Sequence, residues 1–255
     1  AIGGIDFAAS GGSVSVTGFG TDNISDVEGV IGTEFGDTLT AGGGISILNG
    51  GAGDDTFVSS SGNDTLNGGA GDGDLADYSF ATSNIIIQLD VSTPQNLLPE
   101  FGTDVLIGIE NIITGSGNDR VFGTDDGNTI DVGSGSDEVY GSLGNDSLIG
   151  GDNPSSSLPD GLNYSVFGGS AGITIDIASA TVTGDGFIDH FSGFEVVVGS
   201  TFGDTIIGDG SVSRLYGGDG ADTIIVSSGD NTVAGSSGDD TLIGGADNDF
   251  LTGGE

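Results

Sequence analysis

Gly50–Val58, GGAGDDTFV, carries an acidic residue at its sixth position and an apolar residue two places later, and this spacing returns along the chain at multiples of nine. Counted from Asp55, the slot falls on Asp37, Ser46 and Asp64, then on Asp119, Asn128, Asp137 and Asp146, and last on Asp204, Ser213, Asp222, Asn231, Asp240 and Asp249. Two residues after each stands Leu39, Leu48, Phe57, Leu66, Val121, Ile130, Val139, Leu148, Ile206, Leu215, Ile224, Val233, Leu242 or Leu251. A Gly/Ser/Asp-rich chain with no repeating backbone would not keep such a register, so the period is structural.

The motif G-G-x-G-x-D-x-U-x, with U apolar, resembles the RTX family of hemolysin-type calcium-binding nonapeptide repeats over most of the chain. The resemblance implies an all-β fold, a right-handed parallel β-roll or β-helix solenoid with almost no α-helix. The six residues G-G-x-G-x-D make a turn, and x-U-x makes a short strand whose middle side chain enters the core. Two such units complete a coil of about 18 residues, so slots one coil apart stack at the strand spacing of ~4.8 Å.

Carboxylates stacked that closely repel unless a divalent ion lies between them. The family resemblance implies one calcium between consecutive turns on the same side, held by Asp carboxylates and by carbonyls of the glycine positions. An oxygen-only ligand set suits calcium. On the matching positions the implied metal ligands are Asp37, Gly50, Gly51, Gly53, Asp55, Asp64, Gly117, Asp119, Gly135, Asp137, Asp146, Asp204, Gly217, Gly218, Gly220, Asp222, Gly238, Asp240 and Asp249. One side of the roll is expected to hold Asp37–Asp55, Asp119–Asp137 and Asp204–Asp222–Asp240, all carboxylates and therefore the tighter sites. The other would hold Glu28–Ser46–Asp64, Glu110–Asn128–Asp146 and Glu195–Ser213–Asn231–Asp249, with a neutral middle slot each time. Gly73 takes the Asp slot in GGAGDGDLA, where Asp72 or Asp74 could serve as a shifted carboxylate or the turn could act as a stop. Phe35 and Phe202 replace the usual glycine in the turns before Asp37 and Asp204, a departure from the family pattern.

A longer period lies over the nine. Segments running from Glu28, Glu110 and Glu195 align without gaps, and related patches, Asp6-Phe7-Ala8, Asp77-Tyr78-Ser79 and Asn163-Tyr164-Ser165, precede them. The chain therefore divides into three tandem modules, 1–76, 77–162 and 163–255. Pro94, Pro99, Pro154 and Pro159 lie in two segments read as loops leaving the solenoid, since proline cannot donate to a sheet ladder. Leu97, Leu98 and Phe101 in the first loop could dock on a neighbouring subunit or fold back over their own coil.

With 39 acids against Arg120 and Arg214, the chain has a formal charge of −37. That charge opposes both compaction and approach to nucleic acid or anionic lipid, so the expected partner is calcium, and folding should depend on it. Without cysteine there is no thiolate site or disulfide. No apolar run approaches membrane-spanning length. Neither Ala1 nor the final residues, which stop inside a repeat, read as natural termini, and a piece of something longer is expected.

GGSAG at Gly168–Gly172 matches the serine-hydrolase elbow, but an elbow needs a strand leading into a helix and a histidine partner. His190, the single histidine, sits between aromatics and reads as a packed or surface residue. No catalytic residue is assigned, and no enzyme is expected within these residues. The sequence points to a calcium-binding structural or adhesive module of a secreted bacterial cell-surface protein, such as a surface layer, filament or adhesin. Such a chain would leave the cell by type I secretion, fold outside on calcium, and self-associate or continue into neighbouring repeats. The alternative is a calcium-binding accessory region of a type I-secreted enzyme whose catalytic domain lies elsewhere.

Overall fold

The computed structural model describes residues 5–8, 13–16, 20–23, 29–44, 46–89, 91–97, 99–151, 159–211 and 214–255. Every regular element among them is a β-strand, most of them three to six residues long. None is a helix that could cross a membrane. Contacts group the residues into two compact units, Ala1–Val121 and Phe122–Glu255.

In the first unit, Ile5–Ala8, Thr38–Thr40, Thr56–Val58, Leu75–Asp77 and Asn111–Ile113 stack in parallel as one sheet. Gly29–Ile31, Ile47–Ala52, Thr65–Ala70 and Thr103–Ile107 stack as a second. In the second unit, one sheet carries Glu138–Tyr140, Gly161–Asn163, Val196–Val198, Arg214–Asp219, Thr232–Ser237 and Phe250–Gly254, all parallel. Its companion begins Thr129–Asp131, Ser147–Ile149, Phe187–Ser192 and ends Thr174–Asp176, Thr205–Gly208, Thr223–Val226, Thr241–Ile243. Within the nonapeptide rows Thr38 pairs with Thr56, Ile47 with Thr65 and Thr205 with Thr223, which is the expected coil of two repeats.

The strands are short because each x-U-x offers a single core side chain. That residue is fully buried at Leu39, Leu48, Phe57, Leu66, Ile206, Leu215, Ile224 and Val233, while its two neighbours face outward. In the last coil Leu251 is 39% exposed.

Three features break the simple coil, the first an antiparallel meander of Ile5–Ala8, Ser13–Val16 and Gly20–Asn23. Thr174–Asp176, Thr181–Gly184 and Phe187–Ser192 form a second such meander inside the otherwise parallel sheet of the second unit. Its second turn pairs Gly184 with Phe187 across Asp185 (φ 41°) and Gly186 (φ 88°), the two positive φ values of a two-residue primed hairpin, for which Asp-Gly is a favoured sequence. Near Pro94, Gln95–Asn96 returns antiparallel to Thr103–Asp104. Leu97 and Phe101 are buried beneath that return, 1% and 5% exposed, so the loop folds over its own coil and presents neither residue to a neighbour. Leu98 and residues 152–158, including Pro154, lie outside the described residues.

Candidate metal centre

The strand that follows each Asp slot fixes the direction of that residue's backbone N–H, which points along the stacking axis to the next coil. There the next slot's Oδ1 accepts it. Asp37 N–H donates to Asp55 at 2.7 Å and Asp55 N–H to Asp74 at 2.8 Å, while Ser46 N–H donates to Asp64 at 2.8 Å. In the second unit Asp204 N–H donates to Asp222 at 2.7 Å and Asp222 N–H to Asp240 at 3.0 Å. Each Asp column is thus first a hydrogen-bond ladder, in which one carboxylate oxygen extends the sheet past the strand end.

The second oxygen remains. Oδ2 of Asp55, Asp64, Asp74, Asp222 and Asp240 is buried with no hydrogen-bond partner. A buried carboxylate oxygen left unsatisfied is costly, and its natural complement is a cation. The turn glycines shape the space beside it. A Cβ on Gly217 would overlap Asp222 Oδ2 and come within 2.6 Å of the Gly235 carbonyl one coil onward, so both oxygens converge where no side chain stands. The same overlap of own-turn Asp and next-coil carbonyl recurs at Gly32, Gly199 and Gly235. Gly218 follows at φ 109°, a conformation that turns the peptide inward and that side chains disfavour. Among the described residues no three acidic or histidine side chains meet at one point, and the oxygens that adjoin Oδ2 at these glycines are backbone carbonyls of the next coil. Paired carboxylates with carbonyls form the hard-oxygen set that calcium takes.

Burial drives the electrostatics. It raises Asp55 to about 6 against the Asp37 N–H that opposes the shift, with the Asp74 and Asp37 carboxylates adding to it. Asp222 is raised to about 6 by burial, the Asp204 N–H opposing and Asp204 and Asp240 reinforcing. Burial likewise raises Asp64 to about 6 and Asp146 to about 7. Because the folded values lie above the ordinary 3.8, metal-free folding takes up protons; the stability these groups contribute is complete below 3.8 and is lost as pH rises through about 6. The calcium-free chain should therefore gain far-UV β signal on acidification from about pH 7 to about pH 4. A signal that stays flat or falls over that range would contradict the raised carboxylates.

Of the slots read from the sequence, the structure brings together Asp37 with Asp55, Ser46 with Asp64, Asn128 with Asp146, Asp204 with Asp222 and Asp240, and Asn231 with Asp249. Ser213 and Glu28 are outside the described residues. The shifted carboxylate near Gly73 is Asp74, which continues the Asp37–Asp55 ladder. Four ladder members were not in the nine-residue count: Asp74, Asp104, Asp160 and Asp189 cap Asp55, Asp64, Asp137 and Asp146 across 19, 40, 23 and 43 residues. All four keep the Asp-x-apolar signature, in Asp74-Leu75-Ala76, Asp104-Val105-Leu106, Asp160-Gly161-Leu162 and Asp189-His190-Phe191. The glutamate row has a definite place, with Glu110 Oε2 accepting the Asp74 N–H at 3.0 Å and Glu195 Oε2 the Asp160 N–H at 2.9 Å.

The assignment of the rows to two continuous sides is corrected. Glu110 extends the Asp37–Asp55–Asp74 ladder, and in the second unit Asn128–Asp146 lies on the same sheet as Asp204–Asp222–Asp240. The excursions before Glu110 and Glu195 change which strand a returning row meets, so the all-carboxylate rows of successive modules do not form one continuous side. Slots also differ in whether their own turn donates a hydroxyl to the aspartate. Thr33 donates to Asp37, Ser142 Oγ to Asp146 at 3.2 Å and Ser200 Oγ to Asp204 at 2.8 Å, whereas Gly51 and Gly218 offer no hydroxyl to Asp55 and Asp222.

His190 is exposed on the outer face beside buried Asp189. Ser170 is also exposed, in a turn where its Oγ bonds Asp185 at 3.2 Å.

A comparison with curated proteins found no match. The family profile of the RTX calcium-binding nonapeptide repeat, which spans four copies, matches residues 31–66, 54–75, 102–138, 122–153, 191–224, 198–233 and 225–255, together more than half of the chain. With its parallel coils and its columns of half-satisfied aspartates, the chain belongs to the RTX calcium-binding nonapeptide repeat family, and its repeats bind several Ca2+ ions.

Proposed function

We propose that this chain is a structural or adhesive module of a secreted bacterial cell-surface protein, in which calcium held between coils converts a self-repelling polypeptide into a stack. RTX repeats are structural calcium-binding modules typical of secreted bacterial proteins. The observation that carries the reading is the set of buried, unpartnered Oδ2 atoms of Asp55, Asp64, Asp74, Asp222 and Asp240, each on a ladder whose other oxygen is already used.

The ligands proposed are those carboxylates with Asp37, Asp119, Asp137, Asp146, Asp204 and Asp249, and the carbonyls of the turn glycines Gly50, Gly51, Gly53, Gly117, Gly135, Gly217, Gly218, Gly220 and Gly238. When bound, calcium supplies charge compensation and cross-links coils. The chain's own residues hold the oxygens in place through the ladder and keep side chains out of the space between them. In a calcium-poor cytosol repulsion would keep the polypeptide extended and exportable, and at extracellular calcium binding would supply the folding free energy.

Electron microscopy of the full chain tests the assembly part of this reading. Ordered lattices or filaments in calcium that dissolve in EDTA are expected, and monodisperse particles in both conditions would contradict a structural polymer. That outcome would favour the second reading, an accessory region of a type I-secreted enzyme, which rests on the same calcium ladder without self-association.

A further inference from the structure

Two aspartates of the ladders are closed by tyrosines. Asp104 Oδ1 accepts the Asp64 N–H at 2.8 Å, and its Oδ2 accepts the Tyr78 hydroxyl at 2.8 Å and the Ser59 hydroxyl at 3.2 Å. Asp189 repeats the arrangement in the other unit, with Oδ1 accepting the Asp146 N–H at 2.9 Å and Oδ2 the Tyr164 hydroxyl at 2.5 Å. All four side chains are fully buried. At both positions the oxygen that lies open in Asp55 or Asp222 is taken by the phenol of a fully buried ring, whereas the hydroxyls on Asp37, Asp146 and Asp204 come from the residue four places earlier in the same turn.

The surroundings also repeat. Each tyrosine stands in a related patch, Asp77-Tyr78-Ser79 or Asn163-Tyr164-Ser165, and each is followed by a strand with every second residue buried: Ile85, Ile87 and Leu89 in one case, Ile173, Ile175 and Ile177 in the other. Tyr78 packs edge-on against Phe101 with ring centres 5.0 Å apart. Tyr164 meets Phe167 at 6.1 Å, and Phe167 meets Phe187 at 5.4 Å. A nonapeptide row buries one or two apolar side chains in nine residues, whereas these segments bury every second residue over five and add aromatic rings, so apolar burial favours their ordering more strongly.

We propose that Tyr78 and Tyr164 close the Asp104 and Asp189 slots to metal, making the surrounding segments two calcium-independent kernels on which the calcium-binding coils fold. The inference rests on the proposed role of the open Oδ2 atoms as calcium ligands. It divides the molecule into parts ordered by hydrophobic packing and parts ordered by ions.

Hydrogen exchange on the full chain in EDTA tests it, alongside the Tyr78→Phe/Tyr164→Phe double variant and a calcium anomalous-scattering map of the wild-type crystal. In chelator, amides of Ile85–Leu89 and Ile173–Ile177 should exchange at least about tenfold more slowly than those of Thr232–Ser237, where Val233 is the one buried apolar side chain. The double variant should lose that protection in chelator and regain it in saturating calcium. Uniformly fast exchange in the chelated wild type overturns the proposal, as does retained protection in the chelated variant. If the variant fails to fold even with calcium, the map decides: ions beside Asp55 and Asp222 with none at Asp104 or Asp189 support the proposal, and an ion on either of the latter two overturns it. Uniformly slow exchange in chelator, or a map with no ion beside Asp55 or Asp222, would instead remove the calcium reading on which the proposal rests.

Discussion

Exhaustive removal of calcium from the full chain should abolish most of its far-UV β signal, and returning calcium should restore it cooperatively. The formal charge is −37, and the aspartates of each ladder are buried one coil above another. Two unit charges at the ~4.8 Å strand spacing repel by about 3–4 kcal/mol at an effective dielectric of about 20. The ladder hydrogen bonds offset part of this, because each Oδ1 accepts a backbone N–H, but the open Oδ2 atoms gain nothing without a cation. A nonapeptide coil has little else to order it, given one or two core side chains per repeat and a turn rich in glycine. Metal binding is then folding free energy, and because each coil touches only its neighbours the transition should propagate along the stack. Circular dichroism during EDTA addition and calcium return measures the effect; a full β signal after exhaustive chelation would refute it.

Asp222 offers a sharper test, since its two oxygens have separate tasks. Oδ1 accepts the Asp204 N–H at 2.7 Å, and Oδ2 is buried without a partner above Gly217. Asp222→Asn can keep the acceptor while replacing the charged oxygen, so it should raise the calcium concentration at half-folding by about tenfold, equivalent to ~1.4 kcal/mol. Asp222→Ala removes both functions, orphans the buried Asp204 N–H and should cost about 1–3 kcal/mol more. Calcium titrations of the three proteins separate the contributions. A wild-type midpoint in Asp222→Asn would show that Oδ2 is not a ligand, and identical midpoints in the two variants would show that the ladder bond contributes nothing.

Much of the fold was legible because its unit is local. A turn of six residues and a strand of three close on themselves, so the period shows in the chain from Asp37 to Asp64 and again from Asp204 to Asp249, and the core residues Leu39 to Val233 follow from it. The hairpin at Asp185–Gly186 is equally local and carries its own Asp-Gly signal, but it falls between the nine-residue rows and so leaves no mark on their period. Glu110 and Glu195 form a row in the sequence, but their role, accepting the N–H groups of Asp74 and Asp160, depends on coils that lie 36 and 35 residues apart in the chain.

The sequence by itself determined the nine-residue register, the all-β coil of two repeats, the aspartate slots and the acidic excess that calls for a cation, because each depends on neighbouring residues or on composition. Only the tertiary structure decided which slots meet after an excursion, as Asp64 meets Asp104 and Asp146 meets Asp189, and which oxygens those meetings leave open or close with a tyrosine. The reason is physical: a turn and its strand are set by adjacent dihedral angles, whereas a rung between coils depends on where a chain tens of residues longer returns to the stack, and that is fixed by what its excursion can bury.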